Sequence, residues 1–345
     1  MKIYFLGICY HYLGDKDRYP YPGIVGITPE EFSLQINELS RYFEFVSIKD
    51  IVECIEGKCT LPEKCAVLTF DDGLLEHYEK ALPILDKHNI PFIIFVNSAP
   101  YTENRVARIH KIHYLRSIIE PPKFLEIVKE KARDLCGLVL PENEIIKEIP
   151  PNYYPYDSDE NRCIKYILNS FLLPENSLKI IDKIFSNYCN EPDFSRKFYM
   201  TKEQLREVHQ KYHALGLHGH NHLSIAELSD DDARKEIFLC KEIIEEIVSD
   251  KLVCMSYPYG YKQAVSCREE KISKEAGLLF CFTMEMCFNR DLTVAPHLLG
   301  RINNNEAPGH KDAAFKDING TLFINDTKRM KYHRSYYYSD LIEEQ

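Results

Sequence analysis

The sequence predicts an α/β fold in which parallel strands build a barrel-like sheet interrupted by a helical insertion. Three observations predict it: apolar strands alternate with amphipathic helices, charged residues recur at the C-terminal ends of strands, and this rhythm stops between residues 101 and 196.

The elements follow in order. The opening stretch MKIYFLGICYHYL has one lysine, an apolar run broken by a histidine, and no small-residue cleavage site after it, so a first buried strand is expected rather than an export signal. Ala66 to Phe70 (AVLTF) reads as a strand buried on both faces that ends in Asp71, Asp72 and Gly73. Tyr78, Ala81, Leu82 and Leu85 then recur at helical spacing, Asn89 and Pro91 stop the helix, and Phe92 to Val96 (FIIFV) form the next strand. From Thr201 the rhythm returns. Thr201 with Gln204 matches a capping box, and Leu215 to Leu217 read as a strand running into a histidine cluster. Ser229 with Asp232 starts a helix whose stripe is Ile237, Cys240, Ile244 and Ile247. Leu252 to Tyr257 and Leu278 to Thr283 are further strands, with a helix between them closed by Gly277. Between Tyr101 and Arg196 only helical patterns occur, around 123–135, 161–173 and 177–188, separated by PPNYYPYDSDE. After Asn303 the chain reads as polar and irregular. The expected organisation is a first barrel part over 1–100, a helical insertion over 101–196, a second barrel part over 197–302 and an extension over 303–345.

Composition narrows the function. The chain has 345 residues, 43 Lys+Arg and 53 Asp+Glu, for a net charge of −10, and no basic tract. Binding to nucleic acid or anionic membrane through bulk charge is excluded, because that mode needs clustered cations; a neutral or polyhydroxylated substrate fits better. Twelve cysteines without a C-x-x-C pair read as reduced thiols, and no segment reaches the ~20 apolar residues needed to span a bilayer. The expected compartment is the cytoplasm.

Three motifs carry chemistry. In Thr69-Phe70-Asp71-Asp72-Gly73, two adjacent carboxylates at a strand end each need a partner; one can ligate a metal while the other acts as a base, although an aspartate before a helix also serves as an N-cap. In His218-Gly219-His220-Asn221-His222, the first and last histidines, at i and i+4 on one helical turn, can converge on a cation while His220 points elsewhere. Tyr257-Pro258-Tyr259-Gly260 ends a strand in a turn whose N–H groups are candidate oxyanion donors.

In this order the motifs resemble the polysaccharide deacetylase family, also called the NodB-like domain or carbohydrate esterase family four. T-F-D-D-G stands unchanged at 69–73, and H-[S/T]-x-x-H matches 218–222 except at Gly219. ITPEEFSLQINEL, FVSIKDI and FYMTKEQL are similar to the family's lead segments, so the likeness spans about 1–100 and 197–302. The resemblance implies a deformed β/α barrel of about seven parallel strands that removes an N- or O-acetyl group from a sugar with one divalent metal ion. It implies Asp72, His218 and His222 as ligands, Asp71 as general base, and the metal with the Tyr259 N–H as oxyanion stabilisers. His297, in APHLLGRI, is the candidate general acid, with His11 as its competitor. Two departures stand out. Ser256 occupies the place of an arginine that orients the catalytic aspartate in many members, with Arg301 as candidate replacement, and Gly219 lacks the hydroxyl that supports the histidine turn.

Zinc suits the ligand set, and cobalt, nickel, manganese or iron can take the same ligands. The expected substrate is an acetylated sugar or glycan precursor, lipid- or nucleotide-linked, inside the cell. Three other readings stay open: hydrolysis of a cyclic imide, ureide or formylated amino sugar at the same site, a catalytically inactive glycan-binding barrel, and a two-metal phosphoesterase suggested by G-H-x-H but lacking its D-x-H and G-N-H-[D/E] elements. Tyr153, Tyr154 and Tyr156 are candidates either to stack on sugar rings or to pack the insertion loop.

Overall fold

Strand β1 (Tyr4–Tyr10) alternates two buried sets of side chains, and that alternation sets up the whole fold. The computed structural model describes residues 3–14, 24, 26–149, 157–260, 264–311, 313–318 and 321–324. Around β1 lie β2 (Glu44–Phe45), β3 (Lys64–Phe70), β4 (Phe92–Val96), β5 (Leu215–Leu217), β6 (Cys254–Ser256), β7 (Phe280–Phe282) and β8 (Arg301–Asn303). They pair in parallel in the order β7-β6-β5-β4-β3-β1-β8, with the short β2 added beside β3. The ring nearly closes where Leu299, just before β8, bridges Phe282 of β7: Leu299 N–H donates to the Cys281 carbonyl at 3.0 Å and Thr283 N–H to the Leu299 carbonyl at 2.8 Å. This is a deformed β/α barrel of seven principal strands.

Period-two alternation assigns the two faces. Leu6, Ile8, Tyr10, Ala66, Leu68, Phe70, Ile94 and Leu217 join one core with Ile36, Leu85, Leu205, Ile237 and Ile244 of the surrounding helices, so this face points outward under the helical layer. The opposite set, Phe5, Val67, Ile93, Phe95, Cys254, Phe280 and Phe282, forms a second cluster that fills the lumen. Two glycines make that filling possible. A Cβ on Gly7 would lie 2.6 Å from Arg301 Cγ, and one on Gly216 would lie 2.5 Å from the Phe95 ring.

The outer helices start where their caps dictate. Thr28 with Glu31, Ser47 with Asp50, Thr201 with Gln204 and Ser266 with Glu269 all form reciprocal capping boxes. The helix after Gly73 passes through a π-helical stretch at His77–Ala81 and continues as Leu82–His88, ending on left-handed Asn89 at φ 52°. Two expectations need correction. Strand β8 was not expected at the end of the second barrel part, and a hairpin of β9 (Phe315–Ile318) and β10 (Thr321–Ile324) arises from the stretch that reads as irregular, because three- and four-residue strands in polar sequence carry almost no periodic signal.

The described residues of 104–196 form a second compact unit, while those of 26–103 and 197–324 belong with β1 in the first. The second unit is helical: Arg108–Ile118, Pro121–Cys136, Glu142–Glu148, Asp159–Tyr166 continuing into a π-helical Ile167–Phe171, Pro174–Phe185 and Glu191–Phe198. The helices at 108–118, 142–148 and 191–198 were not expected; the first has three basic residues and two histidines among its eleven, which blurs its apolar stripe. Inside this unit Lys111 is fully buried, its ammonium 2.6 Å from Asp182, 2.7 Å from Glu191 and 5.6 Å from the centre of the Phe185 ring. Tyr153, Tyr154 and Tyr156 lie outside the described residues. None of the twelve cysteines is in a disulfide. No helix among the described residues is long and apolar enough to cross a membrane.

Candidate active site

Consecutive carboxylates leave β3 and cannot share one environment. Asp71 extends the strand, its N–H donating to the Tyr10 carbonyl at 3.0 Å, whereas Asp72 turns into a left-handed conformation at φ 81°, followed by Gly73 at 64°. The turn sends the two side chains to different partners. The helix that follows begins at Leu75, so neither aspartate stands immediately before it.

Asp71 belongs to Arg301. The guanidinium donates from Nη1 to Oδ1 and from Nη2 to Oδ2, both at 2.8 Å, a bidentate fork, and Nη1 also reaches Thr69 Oγ1 at 2.9 Å while Nε donates to the Thr283 carbonyl at 3.2 Å. Arg301 is fully buried, with the rings of Phe95 and Phe282 each 5.6 Å away. Burial alone would raise the Asp71 pKa; the charge of Arg301, helped by His218 and His11, overrides it and holds the carboxyl well below the usual carboxylate range. The expected stand-in for the missing arginine at 256 therefore does reach Asp71, and Gly7 on the neighbouring strand leaves the space its stem crosses.

Asp72 meets the histidines. Its Oδ1 lies 3.5 Å from His218 Nε2 and 3.3 Å from His222 Nε2, and the three donor atoms lie within 4.8 Å of one another in a buried position. The convergence does not come from a helical turn, as the spacing suggested. Residues 218–222 are an irregular loop in which Gly219 (φ 76°) and His222 (φ 57°) are left-handed, and this double reversal folds the second ring back onto the first, with centroids 4.9 Å apart. His218 Nδ1 lies 2.8 Å from the Ser256 carbonyl and 2.7 Å from its hydroxyl; donation to the carbonyl places the proton on Nδ1 and turns a bare Nε2 towards Asp72. These donors fit a divalent transition ion. Ligands about 2.0–2.1 Å from zinc in a tetrahedron stand about 3.4 Å apart, the spacing of Asp72 from both imidazoles.

The structure places the other expected residues unequally. Tyr259, left-handed at φ 64° in the turn before Gly260, packs its ring edge-on against His222 at 5.0 Å. His11 stands just beyond β1, where one ring nitrogen, Cys9 Sγ and an Asp71 oxygen fall within 4.8 Å of one another; burial lowers its pKa despite the nearby aspartates. His297 does not come to this rim. Its Nε2 donates to the carbonyl of Leu278, which precedes β7, so it sits at the opposite end of that strand from Arg301's contact with Thr283. The 3₁₀ turn at Pro296–Leu298, which packs beside the start of β7, puts it there. His220 turns away as expected, to Ser98 at 2.7 Å and Glu103 at 3.2 Å.

With this geometry in hand, the sequence model of the family described as Polysaccharide deacetylase matches residues 58–130 and 180–279. The chain belongs to that family. Membership makes it a hydrolase acting on carbon–nitrogen or ester bonds. No curated protein sequence matches it. Among solved structures it is similar to the Streptococcus pyogenes deacetylase PplD in complex with acetate, at 14% identity over 88% of this chain and 92% of that one, with TM-score 0.52. It is similar also to IcaB from Ammonifex degensii, at 19% over 87% and 91%, with TM-score 0.52, and to a de-N-acetylase from Aggregatibacter actinomycetemcomitans, at 16% over 87% and 95%, with TM-score 0.50. At these identities the likeness concerns the fold alone.

Several supports were not singled out in sequence. Glu236 accepts from Asn221 N–H at 2.8 Å and from its side-chain amide at 2.7 Å, while its carbonyl takes the His220 N–H at 3.1 Å. It thereby grips the loop that lacks the family's hydroxyl at 219. The signal was available: Glu236 sits between Ala233 and Cys240 on an otherwise apolar stripe. Asn97 adds a hydrogen bond to the His218 carbonyl, and the Cys9 thiol donates to Asp71 Oδ2 at 3.4 Å.

Proposed function

We propose that this deacetylase-family hydrolase removes N- or O-acetyl groups from a carbohydrate, a sugar or glycan precursor, in a reaction that depends on one divalent metal ion, zinc being the ion that best suits the ligands. One observation carries the reading: a buried Asp72–His218–His222 donor set stands beside an aspartate that a buried arginine keeps ionised. The ion held by those three residues would act as a Lewis acid towards water and the acetyl carbonyl.

The chain's own groups do the rest. Asp71, fixed by Arg301 so that it cannot rotate or protonate in the resting state, accepts a proton from the attacking water. The Tyr259 N–H donates to the oxyanion that forms as the water oxygen bonds to the carbonyl carbon. His11, rather than His297, delivers a proton to the departing amine or alkoxide, because His11 lies within 4.8 Å of Asp71 whereas His297 is held at the Leu278 carbonyl. Neutral at rest through burial, His11 takes up the proton that Asp71 collects. The C–N or C–O bond then breaks and acetate leaves.

The test is acetate release from a panel of acetylated sugars, run beside elemental analysis of the parent and of His222→Ala. Activity that disappears on chelation, returns with zinc and is absent in His222→Ala together with its ion supports the proposal. Full activity in the stripped protein would sink it.

A further inference from the structure

A second set of metal-ligating side chains lies at the other end of β5 and is independent of the reading above. Helix Lys202–Tyr212 carries His209 in its last turn and is capped by His213; helix Asp230–Val248 is capped by Ser249, after which comes Asp250. One ligand atom from each of His209, His213 and Asp250 falls within 4.8 Å of the others. His209 Nε2 is 3.0 Å from Asp250 Oδ2, and the two imidazoles meet edge to face with centroids 5.4 Å apart.

Three features favour a cation here. Two helices end together, as Arg206 Nε donating to the Ile247 carbonyl at 2.9 Å shows, so their negative dipole ends add to the Asp250 charge. Local cations are turned elsewhere: Lys251 Nζ reaches Glu245 at 2.7 Å, and Arg206 also pairs with Glu203 at 3.1 Å. The donors are held in place. Asp250 Oδ1 accepts the Lys251 N–H at 2.8 Å, which leaves Oδ2 aimed at His209, and the His209 ring is buried with no hydrogen bond at Nδ1 among the described residues, so its hydrogen bond is the one at Nε2. The cap is also unusual. His213 adopts φ 48° and Ser249 φ 56°, left-handed positions that glycine or asparagine fill at lower cost.

We infer that His209, His213 and Asp250 form a second divalent transition-metal site, one that clamps the C-terminal ends of two helices at the end of β5 remote from the active site. Imidazole and carboxylate donors suit zinc, nickel or cobalt rather than calcium or magnesium. By binding the folded chain only, the ion stabilises it by mass action.

The full chain, stripped of metal, is dialysed against low micromolar zinc and counted by elemental analysis, with His213→Asn and Asp250→Asn as probes; asparagine tolerates the left-handed cap at 213 and matches aspartate in size at 250, so the fold is spared. The expected result is two ions in the parent, one in each probe variant and in His222→Ala, and none in His222→Ala/His213→Asn. Zinc should also raise the Tm of His222→Ala and leave that of the double variant unmoved. An ion count in His213→Asn equal to the parent's overturns the inference, as does a parent holding a single ion that vanishes with His222→Ala, a result that leaves the proposed function standing. A single ion lost only with His213→Asn supports the inference and instead sinks the metal dependence proposed for deacetylation.

Discussion

Among the described residues two lysine or arginine side chains are completely buried, Arg301 in the barrel and Lys111 in the helical unit, and they serve different ends. Arg301 faces a carboxylate that is itself only 3% exposed, whereas the partners of Lys111, Asp182 and Glu191, keep 35% and 26% of their side-chain surface in contact with solvent. A buried charge whose partner can still reach water is a packing solution. A buried charge whose partner cannot is a constraint on that partner, and here the partner is the residue assigned as base. What separates the two is the state of the anion, more than the depth of the cation.

The largest expected effect breaks the functional pair without removing volume. Asp71→Asn should lower kcat/KM for acetate release by roughly 10²–10⁴-fold, the usual worth of a general base, while its unfolding transition shows a retained fold. Activity within a few-fold of the parent would move the base elsewhere. Next, Arg301→Met leaves the enclosed Asp71 carboxyl without its counter-charge, at a cost of about 3–5 kcal/mol in urea denaturation. Adding Asp71→Asn to that variant should restore part of the loss, and a double variant no more stable than the single one would refute the pairing account. Ser256→Ala removes a hydroxyl that steadies His218, so zinc affinity should fall by about 10–100-fold by competition with a chelator, with Asp71 undisturbed. The smallest change is Lys111→Met. Because its partners reach solvent, the expected loss is only about 1 kcal/mol, and a penalty matching that of Arg301→Met would erase the contrast drawn above.

Much of this was legible in sequence, for physical reasons. The apolar strands at 66–70, 92–96 and 215–217 carry strong buried runs between clear stop signals, and β4 and β5 fall at the expected residues. The donor residues were legible because chemistry demands particular side chains. How they converge was not: the left-handed φ values at Asp72, Gly219 and His222 have no periodic signature, and i, i+4 spacing suggested a helix where a reversing loop stands. His297 was misplaced because its position in the chain says nothing about which end of β7 it packs against. Contacts distant in sequence, such as Glu103 with His220, 117 residues apart, follow from assembly of the barrel and from no local pattern, whereas Arg301 was singled out by the family resemblance.

The glycine in β1 carries one more consequence. Because the stem of Arg301 occupies the room that a side chain at position 7 would need, residues 7 and 301 are a single exchangeable module: lumen volume surrendered by one strand is spent by its neighbour on a guanidinium. Moving the arginine back to position 256 would therefore be a repacking problem before it is an electrostatic one. The relocated side chain would evict the hydroxyl that steadies His218, and the vacated lumen would call for a larger residue at position 7. An engineer who grafts the clamp alone should obtain a hollow barrel, and one who grafts both positions together has a chance of keeping the site.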